Sequence, residues 1–271
     1  MSKHANHPVM QRFEGFLGKL YERQNEIMAE SEAGLRGLLE QNPTDIGTYS
    51  NALSGLKHRY HQLRERLEST WDEQIEPAFE QADLLDPGLD RKADALLDLD
   101  ARWCKWEATQ AANFYRNLAP IAEAELAPRV FCTQCGTPLD NPDPRALVNI
   151  ACSGCGAINQ VSPTEAVGLF NGAGHAYAEE QCAEIRAQIE RFRHEVDLWR
   201  RSRDWCDEPL ESLEKWEQWE RHYWTTYAQV SAQHTGKPVD QALIDARMLG
   251  FLRYTLEMNQ TWVRAKGRHP G

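Results

Sequence analysis

No stretch of this sequence carries the roughly 20 consecutive apolar residues that a bilayer-spanning helix needs. Met1 to Pro8 lacks the hydrophobic run of a secretory signal, so the expected location is cytoplasmic. Catalytic signatures are missing too: there is no G-x-x-x-x-G-K-[ST] phosphate loop, G-x-G-x-x-G dinucleotide turn, H-E-x-x-H or G-x-S-x-G. None of the nine histidines has a glutamate three residues before it, which removes the Glu-x-x-His pattern of di-iron bundles. Basic charge is scarce, with 30 Lys and Arg against 41 Asp and Glu. The net charge of -11 disfavours general nucleic-acid binding, which needs a positive surface. Strand-like alternation is absent outside residues 129–162.

What the chain does have is helical periodicity. Hydrophobic content of 41% with nine tryptophans supports a folded core. Phe13, Leu17, Leu20, Ile27, Leu35 and Leu38 follow a three-four spacing and its sums of seven and eight, and define one stripe. Leu53, Leu56, Tyr60, Leu63 and Leu67 form a second, running on to Trp71 and Ile75. Leu89, Ala93, Leu96, Trp103, Phe114, Leu118 and Ile121 form a third. Beyond residue 163 the series are Cys182, Ile185, Ile189, Phe192, Val196 and Trp199, then Leu213, Trp216, Tyr223, Tyr227 and Val230. Leu243, Leu249, Leu252, Leu256 and Val263 make the last. Prolines 8, 87, 163, 209 and 238 mark helix starts, and Ser162 with Glu165 reads as a capping box. Pro43 ends the first segment, while Pro77 and Pro120 are expected to kink or break theirs. The expectation is about six helices, several roughly 25 to 40 residues long.

Seven cysteines is an odd number, and four are paired in C-x-x-C spacing, which suits a metal in a reducing compartment rather than a disulfide framework. Phe131-Cys-Thr-Gln-Cys-Gly-Thr-Pro-Leu139 and Ile150-Ala-Cys-Ser-Gly-Cys-Gly-Ala-Ile158 repeat one pattern: an apolar lead, C-x-x-C, then glycine. Sixteen residues separate the inner cysteines, within the usual zinc-site range. Two such turns face to face offer four sulfurs to one ion, with Gly136 and Gly156 suited to positive φ after the second ligand.

These residues resemble the zinc-ribbon family, with rubredoxin-like knuckles. The resemblance covers about residues 129–162 and implies a short β-hairpin arrangement around one structural Zn2+ ion held by Cys132, Cys135, Cys152 and Cys155. Four thiolates close the shell and leave no open position. Rubredoxin-like iron and a redox-released zinc are the alternatives. The resemblance does not specify function, since such ribbons occur in nucleic-acid machinery, in enzymes and as plain staples. The fold class expected is therefore all-α: long antiparallel hairpins or a coiled-coil-like bundle with a small β zinc ribbon inserted. Its divisions are an N-terminal helical region 1–128, the ribbon 129–162 and a C-terminal helical region 163–271.

Other features are suggestive only. Residues 72–100 hold ten acidic side chains against Arg91 and Lys92, net -8. Lys57, Arg59, Arg64 and Arg66 form one basic stretch; Arg186, Arg191, Arg193, Arg200, Arg201 and Arg203 form another. Glu190 and His194 read as a solvated i,i+4 pair, and His58 with His61 as a weak ligand set. Cys182 sits on an apolar stripe, where packing is the usual fate of a thiol. Gly168, Gly172 and Gly174 read as close packing or a break, and Asn141-Pro142-Asp143-Pro144 as an exposed turn. Trp216, Tyr223 and Tyr227 share a helical face, either as core or as a protein interface. The reading at this point is a non-enzymatic cytoplasmic adaptor or scaffold with protein partners and self-association. A nucleic-acid-associated zinc-ribbon factor and an enzyme with a site between helices are the rivals.

Overall fold

The computed structural model describes residues 6–126, 130–201, 210–235 and 237–266, with side-chain surroundings for all but 197–201, 210–213 and 255–266. The chain is largely helical, with two small two-stranded sheets inserted between helices. Helix α1 spans Pro8–Gln41 and α2 spans Ile46–Thr70. A π-helical turn, Trp71–Ile75, leads into α3, Glu76–Gln81. Helix α4 is Leu85–Leu126, α5 Glu165–Phe170, α6 Ala173–Arg201, α7 Leu210–Thr235 and α8 Gln241–Lys266. No helix among the described residues is long and apolar enough to cross a membrane.

Helix ends follow the local chemistry. Pro8 opens α1 behind His7, whose Nδ1 accepts from Val9 N, and the helix stops before Pro43. Asp45 caps α2 by accepting from Thr48 N at 2.9 Å. Two expected starts are displaced. Thr164, not Ser162, caps α5, and Asp240 caps α8 by accepting from Leu243 N at 2.9 Å. In each case the oxygen nearer the first free N–H does the capping, and the proline lies one or two residues upstream. Pro209 lies outside the described residues.

Pro77 and Pro120 break nothing. Pro120 lies inside α4, which continues to Leu126. Before Pro77 the helix widens: Glu76 N–H bonds to Trp71 O, five residues back. That wider turn makes room for a ring that would otherwise crowd the carbonyl four residues before it. It also turns Trp71 fully inward, beside Phe79 and Phe13, with ring centroids at 5.1 Å (Phe13–Trp71) and 5.4 Å (Trp71–Phe79). Gly88 of α4 lies against this aromatic cluster; a Cβ there would come within 2.6 Å of Phe79 Cδ1.

The N-terminal core is formed by α1, α2, α3 and α4, with Phe13, Leu17, Leu67, Leu99, Trp103 and Phe114 among its most buried side chains. Gln24, 1% exposed, enters it by donating from Nε2 to Leu99 O at 2.8 Å. A second cluster joins α6 to α7 through Cys182, Ile185, Ile189, Trp216 and Tyr223, and a third joins α7 to α8 through Ala228, Ile244 and Met248. Helix α4 packs on α1, α2 and α6, linking the two halves.

The stripes of α1, α2 and α6 agree with this core, whereas two others slip. On α4 the expected Trp103, Phe114 and Leu118 are buried, but Leu89 is 41% exposed and Ala95, Leu99, Trp106 and Ala112 are buried in addition. Leu249 is 50% exposed; α8 buries Ile244 and Met248. Both helices carry apolar residues on more than one face, so spacing alone did not choose among them. Trp199, Leu213, Leu256 and Val263 lie outside the described side chains.

Candidate metal centre

Between α4 and α5 the chain forms two antiparallel hairpins. In the first, β1 (Val130–Phe131) pairs with β2 (Pro138–Leu139), and in the second, β3 (Val148–Ala151) pairs with β4 (Ile158–Val161). Each hairpin bends around a C-x-x-C turn with the same hydrogen bonds. Cys132 N donates to Thr137 O and Cys152 N to Ala157 O, both at 2.8 Å. Gly136 N donates to Cys132 O at 3.0 Å and Gly156 N to Cys152 O at 2.9 Å. Closing these turns requires φ of +71° at Gly136 and +75° at Gly156, a left-handed conformation that costs glycine nothing.

The result is a convergence of sulfurs. Cys132, Cys135, Cys152 and Cys155 place their Sγ atoms within 4.8 Å of one another. Cys132 and Cys155 are 3.7 Å apart and Cys135 and Cys152 3.5 Å apart across the hairpins. A metal–thiolate bond of about 2.3 Å in a tetrahedron gives an edge of roughly 3.8 Å, so these four sulfurs fit one tetrahedral ion. Cys132 and Cys152 are buried and Cys135 and Cys155 exposed, which leaves one side of the cluster at the surface.

Electrostatics favour the ligating form at the first turn. Backbone N–H groups of Cys135 and Gln134 aim at Cys132 and bring its pKa down to about 6. Cys135 is lowered by the Thr137 hydroxyl, 3.1 Å from its sulfur. At Cys155 the Ala157 N–H acts downward, but hydrogen bonds from neighbouring sulfurs together with desolvation raise it to about 12.

Asn159, which the motif alone did not single out, completes the site. It is 5% exposed; Nδ2 donates to Cys132 Sγ at 3.5 Å and to Ala157 O at 3.1 Å, while Oδ1 accepts from Thr133 N at 3.0 Å. In the repeat of the two turns its counterpart is Leu139, also buried. A polar residue where the repeat places an apolar one was the available signal.

The insert is anchored to the helices. Arg145, in the loop between the hairpins, donates from Nη1 to Thr235 O at 3.2 Å, satisfying a carbonyl at the C-terminus of α7. Asn171 Nδ2, from the turn joining α5 to α6, donates to Arg145 O at 3.0 Å. Pro142, Asp143 and Pro144 are exposed as expected, but Arg145 makes this loop a point of attachment. Gly174 sits at the same junction; a Cβ on it would lie 3.0 Å from Thr235 Cγ2 and 3.1 Å from Ser231 O.

Among the described residues the other sequence candidates do not assemble into a second ligand set. His58 bonds to Gln62 at 3.1 Å, and His61 packs on the Tyr60 ring. Glu190 pairs with Arg193 at 2.8 Å rather than with His194, whose Nε2 is buried without a partner. Cys182 is fully buried and Cys104 exposed; Cys206 lies outside the described residues.

Compared with protein-family models, with curated proteins and with solved structures, the chain has no match.

Proposed function

We propose that this chain is a non-enzymatic adaptor in which Cys132, Cys135, Cys152 and Cys155 hold one structural zinc ion in a zinc-ribbon arrangement. The observation carrying the reading is the closed four-sulfur shell tied through Arg145 and Asn171 to helix ends. Zinc takes four thiolates without geometric strain, and a full shell has no position for water or substrate. The ion's contribution is to fold two short hairpins that have only a small core of their own, and so to fix the junction of α4, α5, α6 and α7.

The helical faces are the partner-binding surfaces in this reading. Asp86, Asp90 and Asp94 are exposed on α4 with no basic partner among the described residues, because Arg91 is engaged by Glu14 at 2.6 Å and Lys92 by Asp72 at 3.3 Å. That edge suits a basic protein surface in the cytoplasm.

The rival readings receive less support. The basic stretches are largely spent in ion pairs: Lys57 with Glu107, Arg59 with Glu30, Arg64 with Asp100, Arg186 with Glu179 and Arg191 with Asp98. Arg200, Arg201 and Arg203 lie outside the described side chains. The cavity between α2, α4 and α6, of about 460 Å³, has its acids Glu107 and Glu179 in those same pairs. Cys104 is exposed, yet the protein packed around its thiol partly desolvates the charged form and raises its pKa, the wrong direction for a nucleophile.

Crosslinking from residue 89, exposed beside Asp86 and Asp90, in the full chain in its native cell tests the adaptor role. A basic partner protein captured there, and lost on Asp90→Lys with Asp94→Lys at unchanged zinc content, is the expected result. Capture insensitive to that charge reversal overturns the assignment of this edge.

A further inference from the structure

A second built feature lies away from the metal, in the cleft that α7 forms with α6 and α8. Its volume is about 580 Å³, within the range of small-molecule sites. Aromatic rings wall it. Trp216 meets Phe251 edge-on at 5.1 Å and Tyr254 at 6.0 Å, so the rings brace one another. Ala246 and Gly250 leave the α8 side open, and a Cβ on Gly250 would touch nothing within 4 Å.

Charge in the cleft is unequal. Glu220 is 6% exposed, and its Oε1 accepts from Trp216 Nε1 at 3.2 Å and from Arg193 Nη2 at 3.1 Å. This carboxylate is neutralised by its own neighbours. Arg247 is different: its guanidinium lies over the Trp224 ring at 4.7 Å and has no carboxylate partner among the described residues. The ring contact uses none of the guanidinium N–H groups, so its fork is left to receive an anion in two parallel hydrogen bonds.

We propose that this cleft binds a small aromatic carboxylate, its ring lying against Phe251 and Tyr254, which Trp216 braces from behind, and its acid group taken by Arg247. A cationic ligand is disfavoured, since among the described residues two arginines line the space and the one acid, Glu220, is already paired. The site is independent of the zinc centre and of the adaptor role.

The test uses the full-length, metal-replete chain and 2-naphthoate, with the neutral 2-naphthalenemethanol and the cationic 2-naphthylmethylamine as matched probes, followed by titration calorimetry. The expected result is one sub-millimolar site for naphthoate, with the alcohol weaker by about tenfold or more and the amine weaker still. Arg247→Gln should weaken naphthoate by about tenfold or more, and Gly250→Leu should remove binding of all three by filling the space. Circular dichroism and metal content check that both variants fold. No naphthoate binding, preference for the amine, or unchanged affinity in both variants would overturn the proposal.

Discussion

The Asn159 side chain joins the two cysteine turns: Nδ2 donates to Cys132 Sγ at 3.5 Å while Oδ1 holds Thr133 N at 3.0 Å. It comes from β4 of the second hairpin and stabilises a thiolate of the first. Outer hydrogen bonds of this kind orient ligands and tune metal affinity. Asn159→Leu copies the residue that the first hairpin carries at the same place, Leu139. It is expected to lower metal affinity about 10- to 100-fold with the helices intact. Competition against a chromophoric chelator measures this.

Arg145 makes the insert part of the helical body. Removing its side chain frees Thr235 O, so Arg145→Ala should cost about 0.5 to 1.5 kcal/mol. The loss should be local. Hydrogen exchange is expected to quicken at residues 231–235 of α7, with metal stoichiometry unchanged.

Gly88 allows α4 to lie against two aromatic rings. A Cβ there would come within 2.6 Å of Phe79 Cδ1 and 2.9 Å of Trp71 Cη2, atoms that a packed core cannot move aside. Gly88→Ala should therefore destabilise the chain by about 1 to 3 kcal/mol, although alanine favours helix elsewhere. Urea denaturation followed by tryptophan fluorescence reports it.

Cys182 is buried between α6 and α7, and burial pushes its pKa up to about 12. A raised thiol is neutral in the fold. Its contribution to stability is complete below the unfolded-state pKa near 9 and is lost as pH rises towards 12. Alkylation of Cys182 at pH 8 is expected only when the chain unfolds, so peptide mapping should show its labelling rate rising with urea rather than with reagent access.

Much of this architecture was legible in the residues. The stripe through Phe13, Leu17, Leu20 and Ile27 is buried because its members lie four, three and seven positions apart, all on one face of a helix. The four cysteines converge because C-x-x-C-G encodes its own turn, down to the positive φ of Gly136 and Gly156. Features that depend on distant partners were not legible. Leu89 was placed inside because spacing cannot say which apolar face of α4 meets α1 and α2, and Ile244 and Met248 were missed on α8 for the same reason. Asn159 and Arg145 gain their roles from hydrogen bonds 26 or 27 and 90 residues away in sequence, beyond any local pattern. Pro77 did not break its helix because a π turn absorbed it, and the inward pull on Trp71 is a tertiary effect.

Elemental analysis of the full chain, purified in reducing buffer without added metal and paired with Cys152→Ser, tests the central claim most directly. The account expects about one zinc per native chain, with the variant losing the metal and ordered hairpins together. Less than about half an equivalent in the native protein, or a variant whose metal content and unfolding transition are unchanged, would contradict it.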